Sequence, residues 1–205
     1  MTELLLIRHG LPVAGIVDPG LSEEGARQAE LLADWLAGEE IDALYTSPFR
    51  RAAETAAPAE GRLGLRASVE PDLREWDHDV PVKVYTPPEQ LPASHPQAIA
   101  LAEGRFDDFV PELDLPGFQA RAAGVMTRLL DAHPGERIAA FTHGGLTNAY
   151  LAMVIGMPRV FWFHPGYTSI CRVERMASGI VVVKSVNETA HLVARRADAV
   201  AAPTV

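Results

Sequence analysis

Short apolar runs alternate along this chain with longer segments whose apolar residues recur at helical spacing. Residues 2–7 form the first apolar run, which is typical of a short buried strand. Similar runs predict five more strands, at 41–45, 66–70, 137–142, 168–174 and 180–186. Because helical segments separate most of these runs, the pattern predicts an α/β fold: a three-layer α/β/α sandwich around a mostly parallel central sheet.

The predicted helices carry boundary signals. Ser22 is a predicted N-cap, and the acidic residues that follow it are favoured in a first helical turn, while Gly38 ends the pattern. Ser47 is predicted to cap a second helix, which should end near Ala57 because Pro58 follows. Two further helices are predicted at 118–132 and 146–155.

A long proline-rich stretch interrupts this regular pattern. Its prolines are Pro81, Pro87, Pro88, Pro92, Pro96 and Pro111. The chain length is that of one domain, which we expect over 1–205. Long irregular stretches in compact domains are usually functional, so we expect this one to be a lid inserted at about 75–116. Aromatic residues in this stretch, including Tyr85, Phe106 and Phe109, favour an ordered lid.

The composition is that of a globular protein, with 48% apolar and 22% charged residues in a chain of 205. A formal net charge of −9 disfavours binding to nucleic acid, and no run reaches the ~20 apolar residues of a membrane span. Cys171 is the one cysteine, and the first residues lack the apolar run of a signal peptide, so we expect a cytoplasmic protein. The oligomeric state stays open, with a homodimer among the alternatives.

Charged residues and histidines follow three of the predicted strands. They are Arg8 and His9 after the first strand, Arg50 and Arg51 after the second, and His143 after the fourth. Because ligands of open α/β sheets bind beyond the carboxyl ends of the strands, these side chains should meet at one edge. Guanidinium groups bind phosphate oxygens in a forked geometry, so the set suits a phosphate.

Backbone groups add to this expected phosphate site. The helices that begin after Ser47 and Gly144 would present N–H groups and a favourable dipole to an anion. Glycine at positions 10 and 144 would let the backbone approach the bound group closely. We therefore expect a phosphate to be bound by Arg8, Gly10, Arg51 and Gly144.

Four motifs resemble those of the histidine phosphatase superfamily, also called phosphoglycerate mutase-like. In chain order they are Arg8-His9-Gly10, residues 47–56, Leu73-Arg74-Glu75 and Thr142-His143-Gly144. The motifs have the order found in the family, and the resemblance covers residues 2–186. In the second motif, the match assigns phosphate binding to Arg51 rather than to Arg50.

The resemblance implies a metal-free phosphatase that needs no cofactor and acts on a small phosphorylated organic substrate. It implies that His9 attacks phosphorus and forms a phosphohistidine, while Glu75 donates a proton to the leaving oxygen. Arg8, Arg51 and His143 would neutralise the phosphoryl oxygens. Glu75 must hold its proton near neutral pH, so we expect its pKa to be raised, with the bound dianion contributing.

Three other functions stay open at this point. A mutase would share these residues, but mutases that resemble this family carry a polar residue directly after Arg-His-Gly, where this chain has Leu11. Lys83 and Arg105 are the only lysine or arginine between Trp76 and Pro116, which favours hydrolysis of a substrate with a rather apolar leaving group. A metallohydrolase lacks its usual ligand spacing, and a non-catalytic phosphate-binding domain has no need of a proton donor.

Several other residues carry weaker signals. We expect Cys171 to pack within its strand rather than to act as a nucleophile. Asp77 and His78 follow Glu75 closely, and both a pocket position and a surface position are open for them. For His164 a pocket role and no role are equally open, and His191 is predicted to lie in a loop or at the surface.

Overall fold

Six strands form one mixed sheet in this computed structural model, which describes residues 1–79, 84–87, 90–105 and 113–193. The strands are β1 (Thr2–Arg8), β2 (Ala43–Thr46), β3 (Ala67–Val69), β4 (Arg137–Thr142), β5 (Ile170–Arg175) and β6 (Val181–Glu188). Their order is β3-β2-β4-β1-β5-β6. The pairs β3–β2, β2–β4 and β4–β1 are parallel, whereas β5 is antiparallel to both β1 and β6. The predicted α/β sandwich with a mostly parallel sheet is confirmed, with an antiparallel edge.

Helices cover both faces of this sheet. In the described part of the chain they are α1 (Glu23–Leu36), α2 (Arg50–Leu63), α3 (Pro96–Ala102), α4 (Leu115–Ala132) and α5 (Gly144–Ile155). Two single 3-10 turns, Pro71–Leu73 and Trp76–His78, follow β3. None of the helices in the described ranges is long and apolar enough to span a membrane.

The alternation of side chains along β1 builds the two halves of the core. Leu4 and Leu6 point to one face of the sheet and pack with residues of α4 and α5. Leu5 and Ile7 point to the other face and pack with residues of α1 and α2. Because successive strand residues face opposite sides, this almost continuous apolar run buries both faces of a central strand.

The second helix differs from its prediction at both ends. Its N-cap is Phe49, so Ser47 precedes the helix instead of capping it. The helix continues past Pro58, which lacks the N–H for one helical hydrogen bond. Burial of Ala59 in the core favours the extra turn, and Gly64 ends the helix with a positive φ of 68°. The prediction that the helix ends near Ala57 was therefore wrong.

The structure describes only part of the segment 75–116 that is predicted to form a lid. The described part contains α3, whose N-cap His95 accepts a hydrogen bond from the backbone of Gln97. It also contains Tyr85, which pairs with Ile16 in an antiparallel bridge. Phe106, Phe109 and Lys83 lie outside the described residues.

Candidate active site

The carboxyl ends of β1, β2 and β4 meet at one edge of the sheet, and three sets of side chains meet with them. His9 follows β1 directly, Arg51 lies in the first turn of α2, and His143 follows β4. The ring centroids of His9 and His143 are 5.1 Å apart. Arg8, His9, Arg51 and His143 are each at most 6% exposed. Two imidazole rings and two guanidinium groups therefore lie together in one buried site, as the strand assignments predicted.

The His9 ring is held in a defined orientation. Its Nδ1 lies 2.8 Å from the carbonyl oxygen of Gly10, and a carbonyl can only accept a hydrogen bond. Nδ1 therefore carries the hydrogen, which leaves the lone pair of the neutral ring on Nε2. Burial lowers the pKa of His9 well below its usual value, and the charges of Arg51 and Arg8 lower it further. The ring is thus uncharged at neutral pH and has a free nucleophilic nitrogen.

Gly10 is needed for packing against helix α1. A Cβ atom at this position would lie 2.7 Å from the carbonyl oxygen of Gly25. The Gly10 N–H donates to Oγ1 of Thr55 at 2.9 Å, which ties the His9 loop to α2. The missing side chain of Gly10 therefore makes room for a helix backbone, and its predicted place beside the bound phosphate stays a prediction. At Gly144 a Cβ would meet only ordinary van der Waals contacts.

Arg51 is enclosed on several sides. Its Nη2 donates to Oδ2 of Asp77 at 2.8 Å, and the side chains are 1% and 7% exposed. Its guanidinium carbon lies 4.6 Å from the ring centroids of both Phe49 and Tyr85. Within the described ranges, the buried Nε of Arg51 has no hydrogen-bond partner. A cation stacked in this way is desolvated and held in one orientation.

Arg8 rests on a second aromatic ring. Its guanidinium carbon lies 3.9 Å from the ring centroid of Tyr167, and its Nη1 donates to the carbonyl oxygen of Pro165. The Tyr167 ring also lies 5.9 Å from the ring of His9, measured between centroids. The loop that precedes β5 therefore supports both Arg8 and His9.

His143 is positioned by Ser47. Its Nε2 lies 2.8 Å from Oγ of Ser47, which also accepts a hydrogen bond from the N–H of Phe49. Burial lowers the pKa of His143 well below its usual value, and the charge of Arg51 adds to the effect. In a neutral ring that accepts the Ser47 hydroxyl proton at Nε2, the hydrogen sits on Nδ1. That Nδ1 is buried and has no partner among the residues described.

Glu75 reaches the same place from the segment after β3. Its Oε2 accepts the N–H of Gly145 at 2.7 Å, and its Oε1 accepts the N–H of Leu146 at 3.1 Å. A Cβ at position 145 would lie 2.5 Å from Oε1 of Glu75, so the carboxyl group docks against α5 only because residue 145 is glycine. Burial, with a smaller contribution from the Asp77 carboxylate, raises the pKa of Glu75 to about 7, against the opposing effects of the backbone N–H groups and of Arg51. Glu75 therefore exchanges its proton near neutral pH.

Comparison with known proteins identifies the family to which this arrangement belongs. Residues 4–189 match the model of the histidine phosphatase superfamily, branch 1. The chain belongs to this superfamily. Phosphoserine phosphatase 1 of Hydrogenobacter thermophilus is 26% identical over 202 residues, which cover 94% of this chain and 95% of that protein. Phosphoglycerate mutase-like protein 4 of Arabidopsis thaliana is 31% identical over 165 residues, which cover 72% of this chain and 68% of that protein.

A solved structure supports the same assignment. Bacillus stearothermophilus YhfR superimposes with a TM-score of 0.75 at 26% identity, over 94% of this chain and 100% of that one. The predicted resemblance to the histidine phosphatase superfamily is thus confirmed for most of the chain. The protein is an enzyme of the histidine phosphatase type, which hydrolyses phosphate monoesters.

The structure of this histidine phosphatase agrees with the prediction for Arg50 and differs from the prediction for His191. Arg50 is exposed and pairs with Glu54 at 2.9 Å, so it lies on the solvated face of α2, while Arg51 lies on the buried face. His191, which the pattern predicts in a loop or at the surface, is only 4% exposed, and its Nε2 is hydrogen-bonded to the buried Thr168 hydroxyl. The sequence offered no periodic signal that places His191 inside.

The positions of the remaining cysteine and histidine candidates of this histidine phosphatase are as follows. Cys171 is buried in the core of β5, as expected, and burial raises the pKa of its thiol to about 11. His164 is exposed, and the side chain of His78 lies outside the described residues. In the described part of the chain, no group of three or more His, Cys, Asp or Glu side chains could hold a metal ion.

The sequence pattern gives little sign of three contributors to the site. It predicts Ser47 only as a helix cap, although Ser47 orients His143. A lone tyrosine before a strand carries no signal for the position of Tyr167 under Arg8. The segment of Asp77 has no periodicity, and its spacing of two residues from Glu75 is the signal that points to the site.

Proposed function

We propose that this histidine phosphatase hydrolyses small phosphorylated organic molecules by transferring the phosphoryl group first to Nε2 of His9 and then to water. The orientation of the His9 ring carries the proposal. Because Nδ1 donates to the Gly10 carbonyl, the lone pair of the neutral imidazole lies on Nε2. The centroid of the His9 ring lies 5.1 Å from that of His143. The charges of Arg51 and Arg8 help to keep the ring neutral.

In the first step, the lone pair of Nε2 attacks phosphorus in line with the ester oxygen. The N–P bond forms as the P–O bond breaks, and the leaving oxygen takes the bond electrons. Protonated Glu75 gives its proton to that oxygen, so an alcohol departs. A pKa of about 7 for Glu75 lets an appreciable fraction of the enzyme hold this proton at neutral pH.

In the second step, water attacks the phosphohistidine. The Glu75 carboxylate, now deprotonated, accepts a proton from the attacking water as the new O–P bond forms. The N–P bond breaks, and its electron pair returns to Nε2 of His9. Inorganic phosphate is released, and neutral His9 and protonated Glu75 are regenerated, so atoms and charges balance over the cycle.

The charge that spreads over the phosphoryl oxygens is met by three fixed groups. Arg8 and Arg51 supply guanidinium N–H donors, and neutral His143 supplies Nδ1–H. All three are buried, so their interaction with the phosphoryl group is weakly screened. Their supports, Tyr167, Phe49 and Ser47, hold them before substrate arrives.

The surroundings of the site support a small substrate. The net charge of −9 repels polyanions, whereas a few enclosed arginines can still bind one phosphate group. We further propose that the chain forms one domain, with residues 75–116 as a lid over the site, and that it acts in the cytoplasm. The contact of Tyr85 with Arg51 favours the lid. A homodimer is kept as an alternative to a monomer.

The decisive experiment is rapid quenching with a ³²P-labelled phosphate monoester. Wild type should yield protein-bound label that is labile to acid, while His9→Ala should yield none. The exposed His164 provides the matched control, because His164→Ala should label like wild type. Turnover should persist in the presence of a chelator.

Two results would contradict the proposed function. Equal labelling of His9→Ala would remove His9 as the nucleophile. Isomerisation of phosphoglycerate faster than its hydrolysis would identify a mutase.

A further inference from the structure

Two carboxylates lie near the same guanidinium group in the proposed phosphate site. Oδ2 of Asp77 accepts a hydrogen bond from Nη2 of Arg51 at 2.8 Å, and both side chains are almost fully buried. Glu75 lies two residues before Asp77 and is 7% exposed. The proposed mechanism uses Arg51 and Glu75, but it gives Asp77 no part.

The contact between Asp77 and Arg51 leaves part of the guanidinium group open. Asp77 is bonded to Nη2, whereas the buried Nε of Arg51 lacks a partner in the part of the chain that is described. The rings of Phe49 and Tyr85 lie against the guanidinium group as well. Asp77 therefore orients Arg51 while an N–H group stays available to an anion. The carboxylate also offsets positive charge that would otherwise attract phosphate.

The same carboxylate acts on Glu75. Among the residues described, the polar groups that face Glu75 are Asp77, Arg51, Tyr85 and the backbone N–H groups of Trp76, Gly145 and Leu146. Asp77 raises the pKa of Glu75, while Arg51 lowers it. Burial raises the pKa of the Tyr85 hydroxyl, so that group is uncharged. The charge balance around Glu75 thus depends on Asp77.

We propose that Asp77 is a positioning residue of this phosphatase, whose carboxylate orients Arg51 and offsets its charge, so that phosphate is bound only moderately tightly and Glu75 keeps its proton. This inference rests on the proposed function, because it requires Arg51 to bind phosphate and Glu75 to donate a proton. With Asp77 in place, inorganic phosphate leaves readily after the phosphohistidine has been hydrolysed.

The test is Asp77→Asn, which keeps an oxygen that can accept the Arg51 hydrogen bond and removes only the charge. Asp79→Asn is the matched control, since Asp79 pairs with Arg121 at 2.6 Å rather than with Arg51. The dissociation constant of inorganic phosphate is measured by calorimetry, and kcat/KM for an alkyl phosphate is measured against pH. Asp77→Asn should bind phosphate about tenfold more tightly, and the alkaline limb of its pH profile should move about one pH unit lower. Asp79→Asn should change neither quantity.

Several outcomes would overturn the inference. One is phosphate binding by Asp77→Asn that is equal to or weaker than that of wild type, with an unmoved alkaline limb. Another is an equal response of Asp79→Asn. Arg51→Ala identifies a failure of the proposed function itself: if it binds phosphate as wild type does, Arg51 is no phosphate ligand and both proposals fall. If Asp77→Asn does not fold, Asp77→Ser removes the same charge and is judged by the same two measurements.

Discussion

Oγ of Ser47 lies 2.8 Å from Nε2 of His143 and so connects the carboxyl ends of β2 and β4. The hydroxyl group has one hydrogen, and it already accepts the N–H of Phe49. If the hydroxyl donates that hydrogen to Nε2, the ring's own N–H lies on Nδ1 and points away from Ser47, which suits a ring that must donate to an oxyanion. Ser47, an uncharged residue of the second motif, thus positions the His143 ring.

Ser47→Ala should lower kcat/KM about tenfold, because the tautomer and orientation of His143 are no longer held; this corresponds to ~1.4 kcal/mol, near the value of one buried hydrogen bond. The loss should appear mainly in kcat, since the ring acts on charge that develops in the transition state. Steady-state kinetics with a simple phosphate monoester measures it. The exposed Ser68 is the control, and Ser68→Ala should behave as wild type. Full activity of Ser47→Ala would show that His143 needs no such partner.

Arg51 and Arg50 offer a matched pair of adjacent arginines. Arg51→Ala should lower kcat/KM by roughly 10²–10³, because a buried donor to the phosphoryl oxygens is lost. It should also lower the melting temperature, since the buried Asp77 loses its partner. Arg50→Ala should leave both quantities nearly unchanged, because the Arg50 side chain is exposed and pairs with Glu54 on its own helix. The assignment fails if the two variants lose activity equally.

The pH dependence of the reaction should report Glu75. Its pKa of about 7 lies above the ordinary value, so the proton is present below about pH 7 and is lost as the pH rises. For an alkyl phosphate, kcat/KM should therefore fall on the alkaline side of neutrality. Glu75→Gln should remove that limb and lower kcat by about 10²–10⁴. With p-nitrophenyl phosphate, whose leaving group needs no proton, the loss should be much smaller, and equal losses with both substrates would exclude a proton-donating role.

Gly145 should tolerate no side chain. In Gly145→Ala the new Cβ would lie 2.5 Å from Oε1 of Glu75 and 2.7 Å from Cδ1 of Trp76, so the carboxyl group must move. We expect at least a tenfold fall in kcat with alkyl phosphates, measured beside Gly61→Ala. Gly61 lies within α2 with nothing near its missing Cβ, so its replacement should preserve activity and raise the free energy of unfolding by ~0.5–1 kcal/mol. An active Gly145→Ala enzyme would mean that Glu75 has other productive positions.

The part of the site that follows regular strands could be predicted from the sequence. Apolar runs locate β1 and β4, and the carboxyl ends of neighbouring parallel strands must share an edge, so the approach of His9 to His143 follows from topology. The choice of Arg51 over Arg50 needed the family motif. Helical geometry agrees with it, since Arg51 and Thr55 lie four residues apart on the buried face of α2.

The remaining errors have a common physical origin. Local rules placed a helix end before Pro58 and a cap at Ser47, but burial of Ala59 and the hydrogen bond to His143 outweigh those local preferences. The contacts of Asp77 and Tyr85 with Arg51 come from segments without periodicity. Partners of this kind are selected by tertiary packing, which a one-dimensional pattern does not record.

The bridge between Tyr85 and Ile16 joins segment 84–87 to the loop after β1 through main-chain atoms. The reacting groups are anchored to strand ends and helix backbones, whereas Tyr85 is joined to its neighbours by two main-chain hydrogen bonds, one with Gly15 and one with Ile16. Main-chain bonds of this sort form with almost any side chains. Substitutions in 13–17 and at positions 84, 86 and 87 can therefore be accommodated together, while Tyr85 keeps its contact with Arg51 and the phosphorylation chemistry stays intact.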